Sequence, residues 1–223
     1  MNTTRDVLGL ALVVLLSTAA PARAQDPPPR IGPFAIDLHA TVPQFPSENV
    51  QLAESRSMDV AELPGNGLGV QAAAHVYLLK VKVITFGIGA EFAASRARKM
   101  PAAGAVSSTS GRLLRPSEER FSTFSPQLSL NFGNGRGWSY LSGGIGISNW
   151  AVVPEGQEGF GADSESLRTI NYGGGARWFA KSHLAFSFDV RFYAIDPGTS
   201  FLANQLGSPR TTLMIIGAGI SLK

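Results

Sequence analysis

The sequence predicts an all-β protein, an eight-stranded antiparallel up-and-down transmembrane β-barrel. Three observations lead to this prediction. Apolar and polar residues alternate with a period of two in eight separate segments, which is the side-chain period of a β-strand. The connections between these segments are alternately long and short, as in a series of β-hairpins. Charged residues make up only 16% of the 223 residues, below the roughly 25–35% that is usual for a surface in water.

The N-terminal residues are predicted to be a secretory signal peptide. Arg5 precedes the ten-residue apolar run Val7–Leu16, and Ala22-Arg23-Ala24 has the A-x-A form of a cleavage site. The run is too short for a transmembrane helix, which needs roughly 20 residues. We therefore expect a signal peptide, a short periplasmic leader and a β-barrel domain at residues 1–24, 25–32 and 33–223.

The composition restricts the function further. The chain contains no Cys, so an exported fold must be stable without disulfides. Its formal net charge of +3 is too small to indicate a nucleic-acid partner. No later apolar run approaches the length of a helical membrane span, so strands would have to cross any membrane.

The first four alternating segments share one pattern. Over most of each segment, apolar residues occupy the even positions, and Ala, Asp, His, Thr, Gly, Gln, Glu, Ser and Asn occupy the odd positions between them. The four segments are Phe34–Val42, Gly67–Leu78, Lys82–Ser95 and Arg120–Phe132. Each has at least the ~9–11 residues that a tilted strand needs to cross a bilayer.

The other four segments follow from Trp138 onward. Leu141, Ile145 and Ile147 place the apolar set of the fifth segment at odd positions, and the last three segments have it at even positions. The four segments are Trp138–Trp150, Arg168–Phe179, Leu184–Asp196 and Thr211–Leu222.

The connections alternate in length along the whole chain. The short ones are Leu79–Val81, Gly133–Gly137 and Ala180–Ser182. The long ones are roughly Pro43–Asn66, Ala97–Glu119, Val152–Leu167 and Asp196–Pro209. Tight turns at one rim and long loops at the other are typical of outer-membrane barrels, in which the long loops face the outside.

The polar face is predicted to point into the barrel. Its only charged residues are Asp37, Glu91, Arg177, Asp189 and Arg191. A water-exposed face of this size would carry more charges, whereas small and neutral polar residues suit the narrow lumen of an eight-stranded barrel. We expect these five residues to form a structural polar network, because an unpaired buried charge costs several kcal/mol. The alternative is a soluble, lipocalin-like barrel that binds an apolar ligand inside.

Aromatic residues lie near both ends of the segments. This placement predicts two interfacial girdles of the kind that outer-membrane barrels have. The girdle at the short turns would contain Phe132, Trp138, Tyr140 and Trp178, and the girdle at the long loops Phe92, Phe121, Trp150 and Phe192.

The stretch INYGGGARWFAKSHLAFSFDVRFY, which ends at Tyr193, carries a resemblance to a known family. The chain from Pro33 to Lys223 resembles the small eight-stranded outer-membrane β-barrels of the OmpA-like membrane-domain type, most closely over Asn171–Tyr193. The resemblance implies a monomer in the outer membrane of a Gram-negative-type bacterium. It also implies contact with outer-membrane lipid and lipopolysaccharide, and insertion by the barrel-assembly machinery.

No catalytic constellation is evident in the sequence. His39 and His75 fall on the lumen face and His183 at a short turn, without a nucleophile placed beside them. The GNGRG stretch lacks the Lys-Ser/Thr ending of a phosphate loop, and no metal-ligand spacing occurs. We expect a protein that is not an enzyme and has no cofactor or metal. A lipid-A-modifying enzyme is the alternative.

The long loops carry most of the remaining charge. The first contains Glu48, Glu54, Asp59 and Glu62 against Arg56, and the third is also acidic, with Glu155, Glu158, Asp163 and Glu165. The second is basic, with Arg98, Lys99, Arg112 and Arg115. We expect solvated loops whose opposite charges partly satisfy one another, with binding of lipopolysaccharide phosphates by the basic loop as an alternative. A water-filled pore takes about 16 strands, so the expected role is structural or surface interaction through these loops.

Overall fold

The computed structural model describes residues 30–155, 163, 165–199 and 207–223. The predicted signal peptide lies outside the described residues, as does most of the predicted leader. The strands are β1 (Phe34–Gln44), β2 (Leu68–Val81), β3 (Ile84–Lys99), β4 (Ser117–Asn134), β5 (Gly137–Pro154), β6 (Leu167–Phe179), β7 (Leu184–Ile195) and β8 (Thr211–Leu222). The first long loop contains helix α1 (Val50–Ser55) and a 3₁₀ helix (Val60–Glu62). Within the described residues, no helix is long and apolar enough to span a membrane.

The eight strands form one closed antiparallel barrel. Each strand pairs with the next in chain order, and β8 pairs back with β1, for example through Ile36 and Leu222. This arrangement confirms the predicted up-and-down barrel. It follows from the alternation of short and long connections, because a short connection leaves room only for an antiparallel neighbour.

The apolar set of residues lies on the outside of the barrel. Phe186 is 68% exposed, whereas Arg191 on the same strand is 1% exposed. Leu128 on β4 and Leu141 and Ile145 on β5 are likewise exposed, and the polar residues that alternate with the apolar ones on these strands point inward. A soluble barrel has the opposite orientation, so the soluble lipocalin-like alternative is wrong.

The height of the apolar surface matches a bilayer. On β3, outward-facing apolar residues run from Ile84 to Ala94. At about 3.3 Å per residue and a tilt of about 40°, this run rises about 25 Å, the height of the apolar band of outer-membrane barrels. This surface is therefore the lipid-facing surface of a transmembrane barrel.

Two predicted connections lie elsewhere in the structure. The first tight turn is at Lys82 and Val83, not at Leu79–Val81, because a bulge shifts the register between Tyr77 and Leu79 and β2 continues to Val81. Lys82 takes the left-handed backbone conformation that closes this turn, with φ +54°. The second long loop is shorter than predicted, because β3 and β4 continue past the apolar band.

Half of the predicted aromatic girdle is wrong. Phe121, Trp138, Tyr140 and Trp150 are buried inside the barrel. Phe92 and Trp178 are exposed on the outside, and Phe132 and Phe192 are half-buried there. The physical reason is the strand period, since Trp138, Tyr140 and Trp150 have the same parity as the inward-facing Ser142 and Ser148.

Candidate functional site

The structure places all five predicted lumen residues inside the barrel, at two levels. The lower ion pair, which lies nearer to the short turns, consists of Asp37 on β1 and Arg177 on β6. Arg177 donates from Nε to Oδ1 of Asp37 at 2.7 Å and from Nη2 to Oδ2 at 2.5 Å. The hydroxyl of Ser221 on β8 also donates to Asp37. The guanidinium also lies 4.0 Å from the centre of the Tyr140 ring, so Asp37 and Tyr140 hold it from two sides.

The upper ion cluster consists of Glu91 on β3 and of Asp189 and Arg191 on β7. Arg191 Nε lies 2.8 Å from Oε2 of Glu91, and Arg191 Nη2 donates to Oδ2 of Asp189 at 3.0 Å. Asp189 and Arg191 are two positions apart on one strand, so the strand period turns both inward. One guanidinium thus bridges two carboxylates across the lumen.

Neutral donors complete the upper ion cluster. Tyr140 donates from its hydroxyl to Asp189 at 2.6 Å, and Tyr193 donates to Glu91 at 2.6 Å. Gln71 donates from Nε2 to Glu91 at 2.8 Å. The five residues include three carboxylates and two guanidinium groups, and these neutral donors supply the hydrogen bonds that the two carboxylates of the upper ion cluster need beyond Arg191. Sequence reasoning placed Tyr140 in the girdle, although its even position on β5 indicates the inner face.

The side chains of the lower ion pair and the upper ion cluster are large for the lumen, and inward-facing glycines leave space for them. A Cβ added to Gly175 would lie 2.1 Å from the Phe188 carbonyl oxygen and 2.7 Å from the Tyr140 hydroxyl. Since an eight-stranded barrel is only wide enough for side chains to fill it, the lower ion pair and the upper ion cluster block the lumen at two heights.

The structure also pairs a histidine with a serine, which the sequence did not indicate. His39 Nε2 and Ser187 Oγ are 2.7 Å apart, and both side chains are buried within the lumen. A serine beside a histidine is a component of nucleophilic sites, but this pair lies inside the filled barrel. His75 is also in the lumen, and His183 is exposed at a turn. The described residues contain no group of three or more His, Cys, Asp or Glu able to hold a metal ion.

The outer mouth of the barrel is covered by the first long loop, residues 45–67, which we call the cap. Leu52 of α1 and Leu63 after the 3₁₀ helix are buried in one apolar cluster with Phe121, Trp150 and Ile215 of the strands. Asn49 caps α1 through its side chain, which accepts from the Leu52 amide at 3.0 Å. The cap is therefore a folded cover on the barrel.

Glu62 joins the cap to the loop between β3 and β4. It is fully buried and accepts from Arg112 Nη1 and Nη2 at 2.7 and 2.6 Å, and from the amides of Asp59 and Arg115 at 2.9 and 2.7 Å. Burial opposes ionisation of Glu62, but these donors outweigh it and lower its pKa to about 2. Arg56 of the cap is also buried and lies 2.9 Å from Asp163. The opposite loop charges do pair as expected. Glu62, Arg56 and Asp163 are buried rather than solvated, whereas Arg112 and Arg115 remain about one-third exposed.

Comparison with known proteins shows the fold. No protein-family model matches the chain, and none of the curated proteins matches it. Neisserial surface protein A (NspA) has a similar structure, with a TM-score of 0.55 and 11% identity, covering 86% of this chain and 97% of that chain. Ail, the attachment invasion locus protein of Yersinia pestis, has a TM-score of 0.49 and 14% identity, covering 85% and 96%. The chain has the fold of the small eight-stranded outer-membrane β-barrels.

Proposed function

We propose that this protein resides in the bacterial outer membrane as a closed barrel that presents a folded cap to the cell exterior, with a structural or surface-interaction role. One observation carries the proposal: the lumen is filled at two levels, while the cap is packed onto the outer mouth. A barrel of this kind offers no wide aqueous path, so its working surface is the outer one. The similar structure of a neisserial surface protein supports this role.

The loop between β3 and β4 provides a surface for interaction. Val106 pairs with Leu113 in a small hairpin, and both side chains are exposed together with Met100. Ser107 of this hairpin donates to Asp59 of the cap, so the hairpin is held in place. Exposed apolar side chains on a fixed loop are typical of contact surfaces.

The location is tested by fractionation of the expressing bacterium. We expect the protein in the outer-membrane fraction with Gln25 as its first residue, and cleavage by external protease within the β3–β4 loop of intact cells. We also propose a monomer inserted by the barrel-assembly machinery, for which depletion of that machinery should reduce the folded, heat-modifiable form. Recovery in the soluble fraction would refute the location.

The closed lumen is tested by conductance in planar lipid bilayers. Refolded residues 25–223 should show no stable porin-like steps. A steady open-channel conductance in the wild type would refute the structural role.

The surface role is tested by partition of expressing cells into hexadecane. We expect higher partition than for cells without the protein, and loss of the increase in the triple variant Met100→Ser, Val106→Ser, Leu113→Ser. The matched control is Val153→Ser, which changes a half-buried apolar residue on β5 outside the hairpin. Equal partition of the triple variant and the wild type would contradict the assignment of this surface.

A further inference from the structure

Above the lipid-facing surface, four neighbouring strands place an arginine pair in one row. The register aligns Leu68 of β2 with Arg96 of β3, Arg96 with Arg120 of β4, and Arg120 with Ala151 of β5. All four residues are on the outer face of the barrel. Arg96 and Arg120 are therefore direct cross-strand neighbours, although like charges in that position destabilise a sheet.

The height of this row places it at the membrane surface. The register gives a row with Phe92, Phe124 and Ile147 four positions below, within the apolar band. Four residues correspond to about 13 Å along a strand, or about 10 Å in height at a tilt of about 40°. The arginines thus lie just beyond the hydrocarbon region, at the depth of lipid head groups on the long-loop side.

Positively charged side chains outnumber negatively charged ones around the row. Arg96, Arg98 and Arg120 all donate to the single carboxylate of Glu118, with Arg98 Nε at 3.1 Å from Oε2. Their side chains are 51%, 54% and 63% exposed, whereas that of Glu118 is 5% exposed. Glu155 lies 3.9 Å from Arg98. Counting both carboxylates, the cluster keeps an excess positive charge that faces the head-group layer.

The arginine pair borders a groove of about 600 Å³ on the outer surface. Apolar and small residues make its floor, among them Leu68, Val70 and Ala94. Asp163 also lines the groove, but its carboxylate is paired with Arg56. A groove with an apolar floor and two guanidinium groups at its rim fits a molecule that has a phosphate beside an acyl chain.

We propose that this groove binds a phosphorylated glycolipid of the outer leaflet, the lipid A part of lipopolysaccharide. Arg96 and Arg120 bind its phosphate, since guanidinium groups donate two parallel hydrogen bonds to phosphate oxygens. The floor at Val70 and Ala94 contacts the first part of an acyl chain. Arg98 of the predicted basic loop belongs to this arginine cluster, whereas Arg112 and Arg115 of that loop are paired with Glu62.

The proposal rests on the outer-membrane location, but its test does not require it. The purified protein in phospholipid nanodiscs is titrated with fluorescent bisphosphorylated lipid A, and retained lipid is counted by native mass spectrometry. We expect saturable binding of one lipid A. The double variant Arg96→Gln, Arg120→Gln should bind at least about tenfold more weakly, because two charge-assisted contacts are lost.

A matched control lies on another part of the outer surface. Arg168 and Arg210 are 67% and 73% exposed and lie 2.9 and 3.3 Å from Asp196. The double variant Arg168→Gln, Arg210→Gln removes the same charge and should leave the lipid A affinity within about twofold, because the phosphate contacts remain. Heat-modifiable gel mobility shows that each variant is folded.

Three results would overturn the proposal. The first is an equal lipid A affinity of the Arg96→Gln, Arg120→Gln variant and the wild type. The second is equal binding of lipid A and dephosphorylated lipid A by the wild type. The third is displacement of the bound lipid A by inorganic phosphate as effectively as by further lipid A. The last result would indicate a simple anion site. A protein that binds lipid A in nanodiscs but fractionates outside the outer membrane would refute the location and leave the site intact.

Discussion

Replacing Arg177 by Met should strongly destabilise the barrel, because it leaves the carboxylate of Asp37 buried without its cation. Arg177 makes two hydrogen bonds to Asp37, at 2.7 and 2.5 Å. Hydrogen bonds to charged groups contribute about 1.5–3 kcal/mol each, and breaking a buried ion pair from one side costs about 3–5 kcal/mol. We therefore expect the free energy of unfolding to fall by about 3–5 kcal/mol in Arg177→Met.

The double variant separates the ion pair from the rest of the site. Asp37→Asn alone leaves Arg177 buried with a neutral partner and should also cost about 3 kcal/mol or more. Removing both charges should cost about 1–2 kcal/mol, less than either single change, because neither variant residue is then a buried ion.

The assay is reversible urea unfolding in phospholipid vesicles, followed by tryptophan fluorescence. Arg168→Met is the control, since it removes an exposed arginine 2.9 Å from Asp196, and surface pairs contribute about 0–1 kcal/mol. A loss below about 1 kcal/mol in Arg177→Met would refute the reasoning. So would a double variant whose loss equals the sum of the two single losses.

Three further predictions concern the cap, a lumen glycine and the outer surface. Because the folded pKa of Glu62 is about 2 and its ordinary value is 4.5, its carboxylate stabilises the cap by about 3 kcal/mol above pH 4.5. This stabilisation should disappear as the pH falls from about 4.5 to about 2, and it should be absent in Glu62→Gln. Hydrogen exchange of the cap amides measures it. Equal protection of these amides at pH 6 and pH 3 in the wild type would contradict the prediction. Gly175→Ala should lower the free energy of unfolding by about 1–3 kcal/mol in the urea assay. Gly65→Ala should lower it less, because an added Cβ there would meet nothing closer than 3.7 Å. Equal losses in the two variants would contradict the prediction. Leu128→Arg should cost about 2–4 kcal/mol, because it places a charge on the lipid-facing surface; a neutral outcome would mean that this face does not contact lipid.

The strands and their faces could be predicted because a half-buried strand has a simple period. The same rule, applied strictly, would also have placed Trp138, Tyr140 and Trp150 inside, since they share the parity of Ser142 on β5. Their aromatic character and position near the segment ends favoured the girdle interpretation instead. The side-chain direction in a strand depends on parity and not on residue type.

The cap and the arginine row could not be predicted from periodicity. Beyond the apolar band, the outer face of β3 and β4 is charged and apolar residues such as Ala97 and Phe121 lie on the inner face. The alternation of an apolar outer face with a polar inner face therefore ends, although β3 continues to Lys99 and β4 begins at Ser117. The cap did carry a local signal, because Asp59 and Glu62 form a capping box around the 3₁₀ helix. Its partner Arg112 is fifty positions away in the chain, and no local pattern identifies such a contact.

The pairing of β1 with β8 makes the order of folding unequal around the barrel. Seven strand pairs join neighbours in the chain, but Ile36 and Leu222 meet across nearly the whole described chain, at a loop-closure cost of about 5 kcal/mol. Until that seam forms, β1 and β8 are unpaired edges that can add a strand from another molecule. Asp37 lies at this seam and is bonded to Arg177 of β6 and Ser221 of β8. The contacts that fill the lumen therefore also act as an internal latch, which holds the sheet shut where assembly ends.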